Sequence, residues 1–271
     1  TKGDVYPKKI EFGTELGEIS QLYYCKEKIR KLCHENNIFS YHDERFLPFL
    51  KTIHTQKKYE IIKRIVDVQK KIDNSWYIID EKIVEDNNFQ KLLQSKKIYY
   101  MDFETDVNQN VYLIGILSHE GEMISLWENP IEEFEKFLED NRDAVFVYYY
   151  AEKRQMKDWL FYQYGETKSE AENWINEKTT NWIDLNPILS NYCGFKDAFD
   201  FKLKSIQKAF SNHGIIKENY SEECANGKES LDVYREYCET QNDDLKKNLI
   251  HYNYLDCLFT KNIAEFIYTH Y

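Results

Sequence analysis

Hydrophobic and polar positions follow two different rhythms along this chain. Through about residues 19–73 the apolar residues recur at helical spacing. Leu22, Tyr23, Ile29, Leu32 and Cys33 form one set; Phe46, Leu47, Phe49, Leu50 and Ile53 a second; Tyr59, Ile61, Ile62, Ile65, Val66 and Val68 a third. This predicts three helices, the second restarting after a capped turn over 40–44 with Ser40 or Asp43 as N-cap. Residues 76–95 read as a connector holding a short extended piece over 76–79 and a short helix over 89–93. From Ile98 the rhythm changes to strands over 98–103, 111–117 and 123–127. The Glu120-Gly121 turn between the last two predicts an antiparallel meander. A helix over 131–138, a strand over 144–149 and a helix over 153–160 follow. Helix–strand alternation then runs to a long final helix over 243–268. Three antiparallel strands followed by alternation predict an α/β domain with a mixed sheet and flanking helices over 96–271, preceded by a small helical region and connector over 1–95.

The first strand carries chemistry at its inner end. Asp102-Phe103-Glu104-Thr105 closes the apolar run Ile98-Tyr99-Tyr100-Met101. In a strand, residues i and i+2 share a face, so Asp102 and Glu104 project side by side. Two such carboxylates repel and lose hydration unless a cation neutralises them. Hard cations such as Mg²⁺ or Mn²⁺ prefer all-oxygen ligands of this kind. A site for two such ions, about 3.5–4 Å apart, needs further carboxylates. Glu152 follows the strand over 144–149 and opens a helix, where α/β sites form. It reads equally as a first-turn acid favoured by the helix dipole. Asp256 lies in the final helix, one turn after Tyr252 on the same face. A tyrosine hydroxyl there could orient an attacking water.

Composition and charge change this picture in places. The chain has 271 residues, 42% hydrophobic and 16% aromatic, enough for a sizeable core and against wholesale disorder. No apolar run reaches membrane-spanning length. No secretory signal is visible, and the opening Thr1 leaves room for upstream sequence. Cys25, Cys33, Cys193, Cys224, Cys238 and Cys257 form no CxxC pair. They read as reduced packing residues, which places the chain inside the cell, in the cytoplasm or the nucleus. The net charge is -11, whereas a nucleic-acid binder is expected to be basic at least locally. Residues 21–75, however, hold 12 basic against 7 acidic side chains, a surplus of +5 that leaves -16 for the remainder. A basic helical region beside an acidic domain, or simply solvated helix faces, fits this pattern. Asp184 reads as a cap for the helix over 185–190, and Lys202 and Lys204 as solvated side chains, with contact to phosphate the alternative. Cys257 reads as core. Among Tyr148, Tyr149 and Tyr150, strand alternation sends at least one inward, while the type of side chain suits base stacking.

These pieces together resemble a known family. Asp-x-Glu on the first strand, an acid after the fourth and Tyr-xxx-Asp on the last helix look like the DEDD exonucleases of the RNase H-like superfamily, over roughly residues 96–270. The wording is most similar to the RNase H-like exonuclease domains attached to RecB-type nucleases. The matching pieces are Asp102-Phe103-Glu104-Thr105, Tyr112-Leu113-Ile114-Gly115, Trp127, Tyr149 to Glu152, Asp184-Leu185, Leu203 to Ile206, Asn226-Gly227, and Tyr252 to Asp256. The resemblance implies a 3′-to-5′ exonuclease acting on single-stranded DNA or RNA ends with two Mg²⁺ or Mn²⁺ ions. Asp102, Glu104 and Asp256 would ligate metal, Glu152 would help directly or through water, and Tyr252 would position the nucleophile. It also implies further domains, or a partner nuclease or helicase. Two features depart from the family's usual pattern. The second motif commonly offers Asp where this chain has Glu152. His251, five before Asp256, fits the histidine-type branch, whereas Tyr252, four before, fits the tyrosine-type; Asn253 favours Tyr252. A nuclease-derived module without activity, and a structure-specific endonuclease on the same fold, are the alternative readings.

Overall fold

The computed structural model describes residues 12–71, 75–128, 130–162, 165, 167–220 and 227–271. Along the chain the helices are α1 (Glu27–Glu35), α2 (Phe46–Ile53), α3 (Gln56–Lys70), α4 (Asn87–Gln94), α5 (Ile131–Asp140), α6 (Glu152–Tyr162), α7 (Lys168–Lys178), α8 (Leu185–Tyr192), α9 (Leu203–Asn212), α10 (Gly227–Thr240) and α11 (Asp243–His270). The strands are β1 (Tyr77–Ile79), β2 (Ile98–Thr105), β3 (Val111–Ser118), β4 (Met123–Trp127), β5 (Val145–Tyr148), β6 (Trp182–Asp184) and β7 (Cys193–Phe195). The anticipated elements are present, most of them a residue or two longer than predicted, but Leu22 and Tyr23 of the first apolar set lie ahead of α1, which begins at Glu27. The turn before α2 differs from expectation. Arg45, not Ser40 or Asp43, occupies the N-cap position and makes no side-chain cap. Asp43 instead accepts from the Arg45 backbone N–H at 2.9 Å and grips its guanidinium, so it stabilises the turn two residues ahead of the N-cap position. Asn226 and Cys224, singled out in the sequence, lie outside the described residues.

The chain divides into two compact units. One gathers Thr1–Ile83 with Pro187–Ile215 and Tyr271; the other gathers Val84–Asn186 with Ile216–His270. In the first unit, α3 lies beside a two-stranded antiparallel ribbon in which Tyr77 faces Phe195 and Ile79 faces Cys193. Phe46, Leu50, Ile62 and Ile65 are buried there. Part of the basic surplus of this region is used internally. Arg30 pairs with Glu18, Arg45 with Asp43, Lys63 with Asp67, and the buried Arg64 with Asp80.

The second unit is built on a five-stranded sheet of order β4-β3-β2-β5-β6. β2, β3 and β4 form the antiparallel meander; β5 and β6 run parallel to β2. Strand alternation divides β2 between two layers. Met101 and Phe103 join a core with Ile131, Phe134, Met156, Trp159 and Ala171 from α5, α6 and α7. Tyr100, Asp102 and Glu104 have the opposite parity and turn to the other face. There Leu249 and Tyr252 of α11 pack with Tyr112 and Leu113 of β3. β3 is buried at every position, as expected of a strand covered on both faces. The two acids therefore stand on the sheet face that the final helix covers.

Candidate metal centre

Three carboxylates converge where β2 meets α11. Asp102, Glu104 and Asp256 each offer an oxygen within 4.8 Å of the others. Glu104 and Asp256 are buried, at 8% and 7% exposure, and Asp102 is partly buried. Burial first, and then the charges of Asp256, Glu104 and Glu152, hold the Asp102 carboxyl well above the usual carboxylate range. Uncompensated negative charge in a desolvated site is costly, and a bound cation removes that cost. The donor set is all oxygen and suits a hard divalent cation rather than a thiolate-seeking metal.

Neighbouring side chains organise the trio. Asn253 Nδ2 donates to the Asp102 carbonyl at 3.0 Å and to Asp102 Oδ2 at 2.8 Å. The Tyr220 hydroxyl donates to Asp256 Oδ1. Ser230, at the start of α10, donates to Glu104 Oε2 at 3.4 Å. The Asp256 carbonyl accepts from Thr260 at 2.9 Å, one turn on. Gly115 lies opposite Asp102 in the β2–β3 register. A Cβ at Gly115 would come within 1.9 Å of Asn253 Oδ1, so only glycine lets α11 approach the strand this closely.

Glu152 stands outside the trio but close enough for its charge to act on Asp102. It is buried at the start of α6, and its Oε2 accepts from the Ala151 backbone N–H at 2.8 Å. Burial pushes its carboxyl up to about 8, with the nearby Asp184 charge adding to the shift. Tyr252 is buried, and its phenol is hydrogen-bonded to Asp256. Burial and the surrounding carboxylates push its ionisation far up, so at neutral pH it is a neutral phenol. His251, one residue earlier, is exposed and stacks against Tyr254 with ring centroids 6.1 Å apart. Asp184 accepts the Asn186 backbone N–H at 3.0 Å, as a cap for α8 should. The same oxygen also accepts the Tyr150 backbone N–H at 3.0 Å. Tyr148 and Tyr149 are buried, whereas Tyr150 is 69% exposed with a φ of 90°. Cys257 is buried, as its apolar neighbours predicted.

Sequence reasoning missed Tyr220, Ser230 and Gly115 as parts of this site, and used Asn253 only as wording. Asn253 could have been found, because it lies three before Asp256 and shares its helix face. Tyr220 and Ser230 reach the acids from distant segments, with no local pattern to mark them.

A sequence profile of the RNase H superfamily matches residues 99–268. No curated protein and no solved structure matches the chain.

Proposed function

The matched span is more than half of the chain, which belongs to the RNase H superfamily; on that premise we propose a divalent-metal-dependent 3′-to-5′ exonuclease acting on single-stranded DNA or RNA ends. The observation that carries the reading is the trio Asp102, Glu104 and Asp256, three acids within 4.8 Å of one another where α11 covers the sheet face of β2. Asp102, Glu104 and Asp256 would hold the cations, with Glu152 completing the acidic set. Mg²⁺ or Mn²⁺ bound there would polarise the scissile phosphate, ease deprotonation of the attacking water and stabilise the departing 3′-oxygen. The protein's own groups orient and exclude. Tyr252, neutral and hydrogen-bonded to Asp256, directs the water and does not take its proton. Burial holds the Glu152 carboxyl above the usual carboxylate range while no cation is bound. The cover of α11 limits bulk water at the acids and strengthens every electrostatic contact there.

The test is direct. A 5′-labelled single strand should shorten stepwise with Mg²⁺ or Mn²⁺ and stay intact with chelator. Cleavage insensitive to metal, or none on either DNA or RNA, would refute the reading; internal cuts would replace the exonuclease with an endonuclease. Tyr252→Phe is expected to lower kcat by about 10²-fold, the cost of a misdirected reacting group. His251→Ala is expected to change it little, because that ring is exposed and stacked away on Tyr254. The reverse pattern in single-turnover assays would return the role to His251.

Tyr150 supplies the substrate contact. A non-glycine residue at positive φ is strained, and Asp184 holds this one in place through its backbone N–H. The result is an exposed aromatic face two residues from Glu152, suited to stacking under a nucleobase. Stacking of this kind is worth about 1–3 kcal/mol per base. Tyr150→Ala should therefore raise KM roughly 10-fold with kcat little changed, and Tyr150→Phe should retain binding. A KM unaffected by Tyr150→Ala removes the platform.

A further inference from the structure

Asn253 is fully buried, yet its Oδ1 accepts no hydrogen bond among the described residues. A buried carbonyl without a donor is a standing cost, and native structures keep few of them. Its orientation is not arbitrary. The amide nitrogen is committed to two acceptors of the same residue, the Asp102 carbonyl and Asp102 Oδ2. Turning the amide over would set oxygen against oxygen at both contacts. The unsatisfied Oδ1 is thereby directed at Gly115, the register partner of Asp102, where the missing side chain leaves room for it. Leucine at 253 would carry no unsatisfied oxygen, and aspartate would repel Asp102. The arrangement spends hydrogen-bonding capacity on the orientation of a single carboxylate.

We infer that Asn253 is a positioning residue for the metal centre: with Gly115 as its clearance, it fixes the Asp102 carboxylate by one oxygen and leaves the other to a divalent cation. The inference rests on the proposed nuclease reading. It adds that the Asn of Tyr252-Asn253-x-x-Asp256 acts on β2 across the sheet–helix boundary, while Asp256 of the same helix acts on the cation. Tyr252, Asn253 and Asp256 then form one rigid helical unit that sets ligand, ligand orientation and water together.

Calorimetric titration of the full chain with Mn²⁺ alone tests this. Partners that orient a metal ligand typically contribute 10- to 100-fold in affinity. Asn253→Ala should therefore weaken Mn²⁺ binding by about that factor, and kcat should fall while KM for the strand holds. Gly115→Ala should weaken Mn²⁺ binding similarly by displacing Asn253. The double variant should be no worse than Asn253→Ala, because the displaced group is gone. Wild-type affinity in a folded Asn253→Ala variant, or strictly additive losses in the double variant, would overturn the inference and leave the nuclease reading standing. A wild-type chain that binds no Mn²⁺ would overturn both. Should Asn253→Ala not fold, the wild-type protein supplies the answer by NMR. The Asn253 side-chain amide protons should shift on adding Mg²⁺, and unmoved signals would overturn the inference.

Discussion

Asp102→Asn is expected to lower the rate of strand cleavage by at least about 10³-fold while raising the Tm of the metal-free protein. The loss of rate follows from removing a metal ligand, since a divalent cation contributes several kcal/mol to charge stabilisation in the transition state, and 10³-fold corresponds to about 4 kcal/mol. The gain in stability follows from electrostatics. Asp102 is pushed well above the usual carboxylate range, by burial first and then by Asp256, Glu104 and Glu152. A carboxyl whose pKa is raised on folding contributes stability that is fully present below its unfolded pKa and is lost as pH rises through the folded value. For Glu152 the window runs from 4.5 up to about 8. At neutral pH the metal-free site is therefore a burden, and a neutral amide at 102 relieves it. Each kcal/mol recovered corresponds to about 2–4 °C. Thermal melts of both forms with chelator, from pH 5 to 8, read the difference, which should widen with pH. An Asp102→Asn protein less stable than wild type at every pH would mean that Asp102 is a structural hydrogen-bonding partner and not a strained ligand.

Divalent metal should reverse the same burden. At about 100 times its Kd, a cation that binds only the folded chain adds about 2.7 kcal/mol, on the order of 5–10 °C in Tm. The effect should grow with pH, because the ligands must be deprotonated to bind. It should vanish with chelator and shrink sharply in Asp102→Asn. Calcium, which tolerates looser and larger oxygen shells, should stabilise the fold without supporting comparable cleavage. A Tm indifferent to Mg²⁺ and Mn²⁺ at millimolar concentration would separate the acids from metal binding altogether.

Much of this fold is legible in the chain because two signals agree. The apolar run leading into Asp102 and the continuous apolar stretch of β3 mark the centre of a sheet, and the turn at Glu120-Gly121 makes the meander antiparallel. The acids are legible as well, since Asp102 and Glu104 share a strand face and Asp256 lies on a helix with apolar neighbours. Their convergence is not, because nothing local shows that α11 covers that face. Gly115 could be read only once its partner across the sheet was known to be Asp102. Tyr220 and Ser230 are tertiary contacts from separate segments and carry no periodic mark. The boundary drawn at residue 95 follows the change of rhythm along the chain, whereas the compact units interleave, with Pro187–Ile215 grouped beside the N-terminal helices. A return of the chain to an earlier unit leaves no trace in hydrophobic periodicity.

A two-cation nuclease centre at these carboxylates requires that both ions bind beside them. Anomalous diffraction from crystals soaked in Mn²⁺ tests it most directly. Manganese peaks are expected within ligand distance of Asp102, Glu104 and Asp256, with the second ion on the Glu152 side. Saturating Mn²⁺ with no peak at the trio, or ordered manganese only elsewhere on the molecule, would contradict it.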